Sequence, residues 1–258
     1  MAKVNSGHAV NVENFNQLTR SILNLGEKWN PVDPSLTATA LKAHYVRYDA
    51  ALKQVTLAEA FDTKQTATRA DAYESLNAFL VRVLAAMRSC RMDATSVDNA
   101  ATLKDLIDGS NIAKVAIKRK AEAAAKLKNV AATEGEPPVD EPKNRSVSQQ
   151  AYDTRLKNFG KLIVLLETAG TYKTNNTELT LDALKAYAVQ LKQANDDTND
   201  AYDLLTNQRK ERDIVLYTGT DSLMEIEKLI KDELTTFAGK KGVDYQKATD
   251  WKFVNLAR

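Results

Sequence analysis

The chain repeats itself. Residues 36–87 laid on residues 179–230, at a constant offset of 143 and without a gap, give 13 identities in 52 positions, against roughly four expected by chance at ordinary residue frequencies. The identities begin at Leu36, Thr37, Ala40, Leu41, Lys42, Ala43 and Val46 and run on through Ala51, Ala58, Thr63, Gln65, Arg69 and Leu80. Beyond this block, Phe15 and Leu18 match Phe159 and Leu162 at offset 144, and Val97-Asp98 matches Val243-Asp244 at offset 146. Offsets that change only between helical segments are what loop insertions produce, because loops tolerate insertion and packed helices do not. The pattern predicts one helical unit of about a hundred residues used twice.

Nine glycines and five prolines in 258 residues are too few for the turns an all-β fold needs, and 43% apolar content supplies a core. The expected class is all-α, an elongated helical bundle of two tandem homologous units, residues 1–110 and 146–258, joined by residues 111–145. Each unit reads as short, long and short helices with a closing helix. First helices are expected at 12–28 and 148–168. Long helices follow, because no glycine or proline interrupts 36–73 or 179–217. In the second, a seam at 3-4 spacing runs Leu181, Leu184, Ala188, Leu191, Asn195, Thr198, Tyr202, Leu205, Arg209, Arg212 and Leu216. A break is expected at 218–222 with its N-cap at Thr220 or Asp221, and a matching break at 74–77. Closing helices are expected near 97–108 and 244–254. The connection begins with a basic, alanine-rich helix and ends in a stretch holding three of the five prolines.

Net charge is only +2, and both repeats are close to neutral. That argues against a chain that binds nucleic acid over its whole surface. The excess of base sits at residues 111–132, with six basic side chains and one acidic. The opening residues lack an apolar leader-like run, no segment approaches the length a membrane helix needs, and Cys90 stands alone. A cytoplasmic protein is expected.

Catalytic and metal chemistry find little purchase. Two histidines and one cysteine cannot furnish a four-ligand zinc site. Asp196, Asp197, Asp200 and Asp203 cluster but lack the glycine turn and closing glutamate of a calcium loop, so they read as a solvated helix face. His8 falls in a terminus expected to fray. His44 aligns with Tyr187 and Cys90 with Glu233, so neither recurs and both read as packing residues. No phosphate-cradling glycine loop occurs, and Gly239-Lys240-Lys241-Gly242 reads as a helix C-terminus. No catalytic, cofactor-binding or metal residue is therefore expected. The remaining candidate for binding is an anion site formed by Lys114, Lys118, Arg119, Lys120, Lys126 and Lys128. The polar residues kept in both copies are Thr63 with Thr206, Gln65 with Gln208, and Arg69 with Arg212. The arginines read as a repeated structural pair, each tying down a carboxylate or terminal carbonyls.

The run Ser146-Val147-Ser148-Gln149-Gln150-Ala151-Tyr152-Asp153-Thr154-Arg155, followed by Asn158-Phe159, Leu179-Thr180-Leu181-Asp182-Ala183-Leu184 and Val243-Asp244-Tyr245-Gln246-Lys247, resembles a family of two-repeat all-helical proteins from Bacteroidota with no assigned activity. The resemblance implies the fold and the lineage, and carries over no cofactor or catalytic residue. The expected function is a non-enzymatic structural or assembly role, with long helical faces meeting another copy or a protein partner and no cofactor. Two alternatives stand beside it: binding of an anionic surface or nucleic acid through residues 114–128, and an enzyme with a carboxylate site between the units.

Overall fold

The computed structural model describes residues 7–108, 147–239 and 242–257. Every regular element among them is helical. Helix α1 (Gly7–Leu23) buries Val12, Phe15, Leu18 and Ile22 at 3-4 spacing. Helix α2 (Ala38–Ser89) is 52 residues long, and α3 (Ala94–Asp108) follows. After the connection come α4 (Val147–Ala169), α5 (Leu181–Asp213), a π-helical turn at Ile214–Thr218, α6 (Leu223–Ala238) and α7 (Val243–Thr249). No helix among the described residues is long and apolar enough to cross a membrane.

The two break sites behave differently. The expected break at 74–77 does not occur, because those residues include no glycine or proline and Tyr73, Leu76 and Leu80 keep the buried face in phase. At the matching place in the second repeat Gly219 accompanies a real break, entered through the π-turn. Its N-cap is Ser222, whose hydroxyl accepts from the Glu225 amide, and not Thr220 or Asp221. The last expected helix also ends early: α7 stops at Thr249 and residues 251–257 have no regular structure.

Local geometry recurs at the repeat offset. Asp33 caps the 3-10 turn Pro34–Leu36, and Asn176 caps Thr177–Leu179, each accepting from the amide two residues on. Thr37 and Thr180 then each accept a bond from the amide three residues ahead, Ala40 and Ala183, both at 3.3 Å. Trp29 Nε1 donates to the Leu36 carbonyl at 2.8 Å, and Tyr172 Oη donates to the Leu179 carbonyl at 2.8 Å. Gly26 and Gly170, 144 residues apart, both adopt positive φ, 57° and 63°, just beyond α1 and α4. That left-handed conformation favours glycine at a helix end.

Packing divides the chain differently from the sequence. One compact unit comprises residues 1–63 and 200–258, and the other residues 64–199. The expected division at 1–110 and 146–258 is thus not how contacts group: each compact unit takes part of each repeat. Within the first unit Glu59 of α2 pairs with Arg209 of α5, and within the second Gln65 meets Thr198 and Tyr73 meets Asn195, so in each unit the start of one long helix lies against the end of the other. In the first unit Val55, Ala58 and Leu205 form a small cluster, beside the main core of α1, α2 and α6 built on Phe15, Leu18, Tyr48, Leu223 and Ile226. In the second unit Leu76, Leu80, Met87, Ile107, Phe159, Leu162 and Leu184 make the core. Along α5 the buried stripe includes Ala201, whereas Tyr202 is 50% exposed and Arg209 is exposed. Leu205 and Leu216, further along the expected seam, stay buried.

Candidate functional site

A polar cluster in the second unit draws on α2, α3, α4 and α5. Arg69 is buried, its guanidinium 4.4 Å from the centre of the Tyr152 ring, and its Nε has no hydrogen-bond partner. Arg155 donates through Nε to the Ile107 carbonyl at 2.7 Å and through Nη2 to the Tyr73 carbonyl at 3.2 Å. Asn195 Nδ2 donates to Tyr73 Oη at 3.1 Å and to Asp153 Oδ1 at 3.0 Å. Burial pushes the Tyr73 phenol up to about 12, against the opposing pull of the Asn195 bond. The cluster joins four helices, α2, α3, α4 and α5, through cation–π and hydrogen-bond contacts.

The first unit places a different polar cluster at the corresponding positions. Arg212, the twin of Arg69, chelates Asp213 Oδ1 through Nε at 2.9 Å and Nη2 at 2.7 Å. The carboxylate expected opposite the repeated arginines is therefore present for Arg212, on its neighbour, while Arg69 lies on an aromatic ring. His8 and Asn11 occupy the positions of Tyr152 and Arg155. His8 Nδ1 shares a 2.7 Å hydrogen bond with Tyr217 Oη, and Asn11 Nδ2 donates to the same oxygen at 3.2 Å. His8 thus belongs to a packed helix, and not to a frayed terminus as expected, because its ring is held by Tyr217.

His44 is half-buried and stacks on Tyr48 at 5.9 Å, with Nε2 buried and unpartnered. Burial pushes its pKa down, and Arg47 adds to the shift while Asp221 opposes it. Cys90 donates to the Met87 carbonyl at 3.3 Å. In the acidic run Asp196 pairs with Lys192 at 2.5 Å and Asp197 accepts from Gln193 at 2.7 Å, while Asp200 and Asp203 are exposed. No group of three or more histidine, cysteine, aspartate or glutamate side chains among the described residues could hold a metal. Lys114, Lys118, Arg119, Lys120, Lys126 and Lys128 lie outside the described residues, as does the whole of 111–145.

What the sequence reading missed is on the surface. Val46 and its identical twin Val189 are 64% and 66% exposed, and Phe61 and its twin Leu204 are 41% and 43% exposed. Leu57 stands one turn before Phe61, also exposed. Both kept valines lie off the buried stripe of their helices. The stripe position alone could have revealed this. On the second unit an open groove of about 540 Å3 runs over Phe79 and Tyr187, whose rings meet edge to face at 5.0 Å. The Arg82–Glu178 ion pair at 2.6 Å and the Ser75–Tyr187 hydrogen bond at 2.9 Å also border it. A second groove, of about 750 Å3, is lined by Leu103 of α3 and by Val164 and Leu165 of α4.

No protein-family model, curated protein or solved structure matches the chain.

Proposed function

We propose that the protein is a non-enzymatic structural or assembly component whose long helices present apolar positions to another copy of itself or to a protein partner. The observation that carries this reading is the recurrence of exposed apolar side chains at corresponding places in α2 and α5: Val46 with Val189, and Phe61 with Leu204. Each is more than two-fifths exposed, and burial of such side chains is a common element of protein interfaces. Scattered exposed apolar residues are ordinary on any surface. Recurrence at matched positions of two long helices is the added support.

The test is solution mass measured by light scattering over a wide concentration range, with electron microscopy of the same samples. Growth of mass with concentration is expected, reduced by Val46→Glu with Val189→Glu, substitutions at positions that bury little in the monomer. A strict monomer throughout removes self-association and leaves the heterologous partner. Unchanged association in the double variant removes these faces.

A further inference from the structure

Residues 251–257 follow α7 without regular structure, although α3, the closing helix of the other repeat, stays helical for 15 residues. Their backbone gives up helical hydrogen bonds and is served instead by side chains of α1. Asn11 is buried and grips Val254 on both sides, donating from Nδ2 to its carbonyl at 2.7 Å and accepting from its amide at Oδ1 at 3.1 Å. One turn further on, Asn14 Nδ2 donates to the Lys252 carbonyl at 2.7 Å. Two asparagines on one helix face thus read the main chain at alternate residues, as an added strand would be read. Trp251, Phe253 and Leu256 pack against the first unit's core. At the head of α1, Gly7 leaves room for Leu256: a Cβ there would lie 2.5 Å from Leu256 Cδ1.

This is the anatomy of a receptor groove with a peptide in it: backbone read by amide side chains, half-buried apolar side chains against the core, a glycine where the ligand comes closest. We infer that the α1 face carrying Asn11 and Asn14 is a docking site for this segment, filled here in cis and able to take residues 251–257 of a second copy. The occupant is argued from complementarity. The groove fits this particular run of side chains, and a second copy brings the same run, so every contact made in cis can be remade in trans without a new surface, which is the logic of segment exchange. The inference deepens the self-association reading and rests on it.

The test uses two full-length chains in a Cys90→Ser background, one carrying Asn14→Cys and the other Lys252→Cys, mixed at increasing concentration under mild oxidation. Covalent heterodimers are expected to rise with concentration. They should be at least several-fold scarcer when Asn14→Cys is mixed with Lys192→Cys, an exposed position outside the first unit. Equal yield from the control mixture overturns the inference. Self-association by light scattering without the specific cross-link overturns this docking site and leaves the proposed function standing. A chain that stays monomeric at every concentration overturns self-association itself, and exchange with it.

Discussion

Trp29 and Tyr172 do the same work with different chemistry. Each reaches over a 3-10 turn to the carbonyl of a buried leucine, an indole N–H in one case and a phenol O–H in the other. Trp29→Phe and Tyr172→Phe each remove that donor and leave a ring behind, so each should cost about 1 kcal/mol in a urea titration. The tyrosines also set the alkaline limit. Burial raises the Tyr73 and Tyr172 phenols from 10.0 to about 12, which favours the neutral form in the folded chain. Because the unfolded phenols ionise first, this contribution is complete below pH 10 and is lost as pH rises from 10 through 12, by at most about 1.4 kcal/mol per pH unit for each ring. Denaturant midpoints measured from pH 9 to 12 should fall accordingly, and Tyr73→Phe should flatten the fall; an unchanged slope would remove Tyr73 from the account. Little of this was legible in the sequence. The twin of Trp29 is a tyrosine, so an identity search passes over a pair that the shared donor role unites.

Elements were more legible than residues where the chain carries punctuation. The all-helical class, the two long helices and the break near 218 all follow from where glycine and proline are absent or present. The break expected at 74–77 failed because it was argued from alignment alone, and a helix that keeps Leu76 and Leu80 buried has no reason to stop. The cap at 220–222 was misplaced by one or two residues because Thr220, Asp221 and Ser222 are all good caps; only the turn geometry selects the serine, whose ψ of 157° leaves its hydroxyl facing the Glu225 amide. Ser222→Ala should therefore cost about 1 kcal/mol, and Asp221→Ala should cost little as a cap. Comparing the two by thermal melting checks which residue starts α6. Gly170→Ala gives a second check at a helix end: its φ of 63° strains any side chain although nothing lies within 4 Å of a new Cβ, so a loss of about 1 kcal/mol would be conformational and not steric.

At the scale of the whole chain, the repeat that organises the sequence does not organise the packing. Each repeat contributes the start of one long helix to one compact unit and the end of that helix to the other, since α2 continues past residue 63 and α5 past residue 199 without interruption. Sequence alignment could find the copies but not this sharing, because pairing between helices 140 residues apart leaves no local signature. The arrangement has a measurable consequence. Both tryptophans, Trp29 and Trp251, fall in the first unit, so indole fluorescence reports that unit alone while far-ultraviolet circular dichroism reports both. Leu80 is buried in the second unit's core, and Leu80→Ala should weaken it by roughly 3–5 kcal/mol. Each unit has its own apolar core, and extending or shortening a helix already nucleated is cheap per residue. The expected result is that in Leu80→Ala the dichroism signal begins to fall at lower urea than the tryptophan signal. Coincident transitions in that variant would mean that the two uninterrupted helices transmit the loss at once, making the chain a single cooperative body in spite of its two cores.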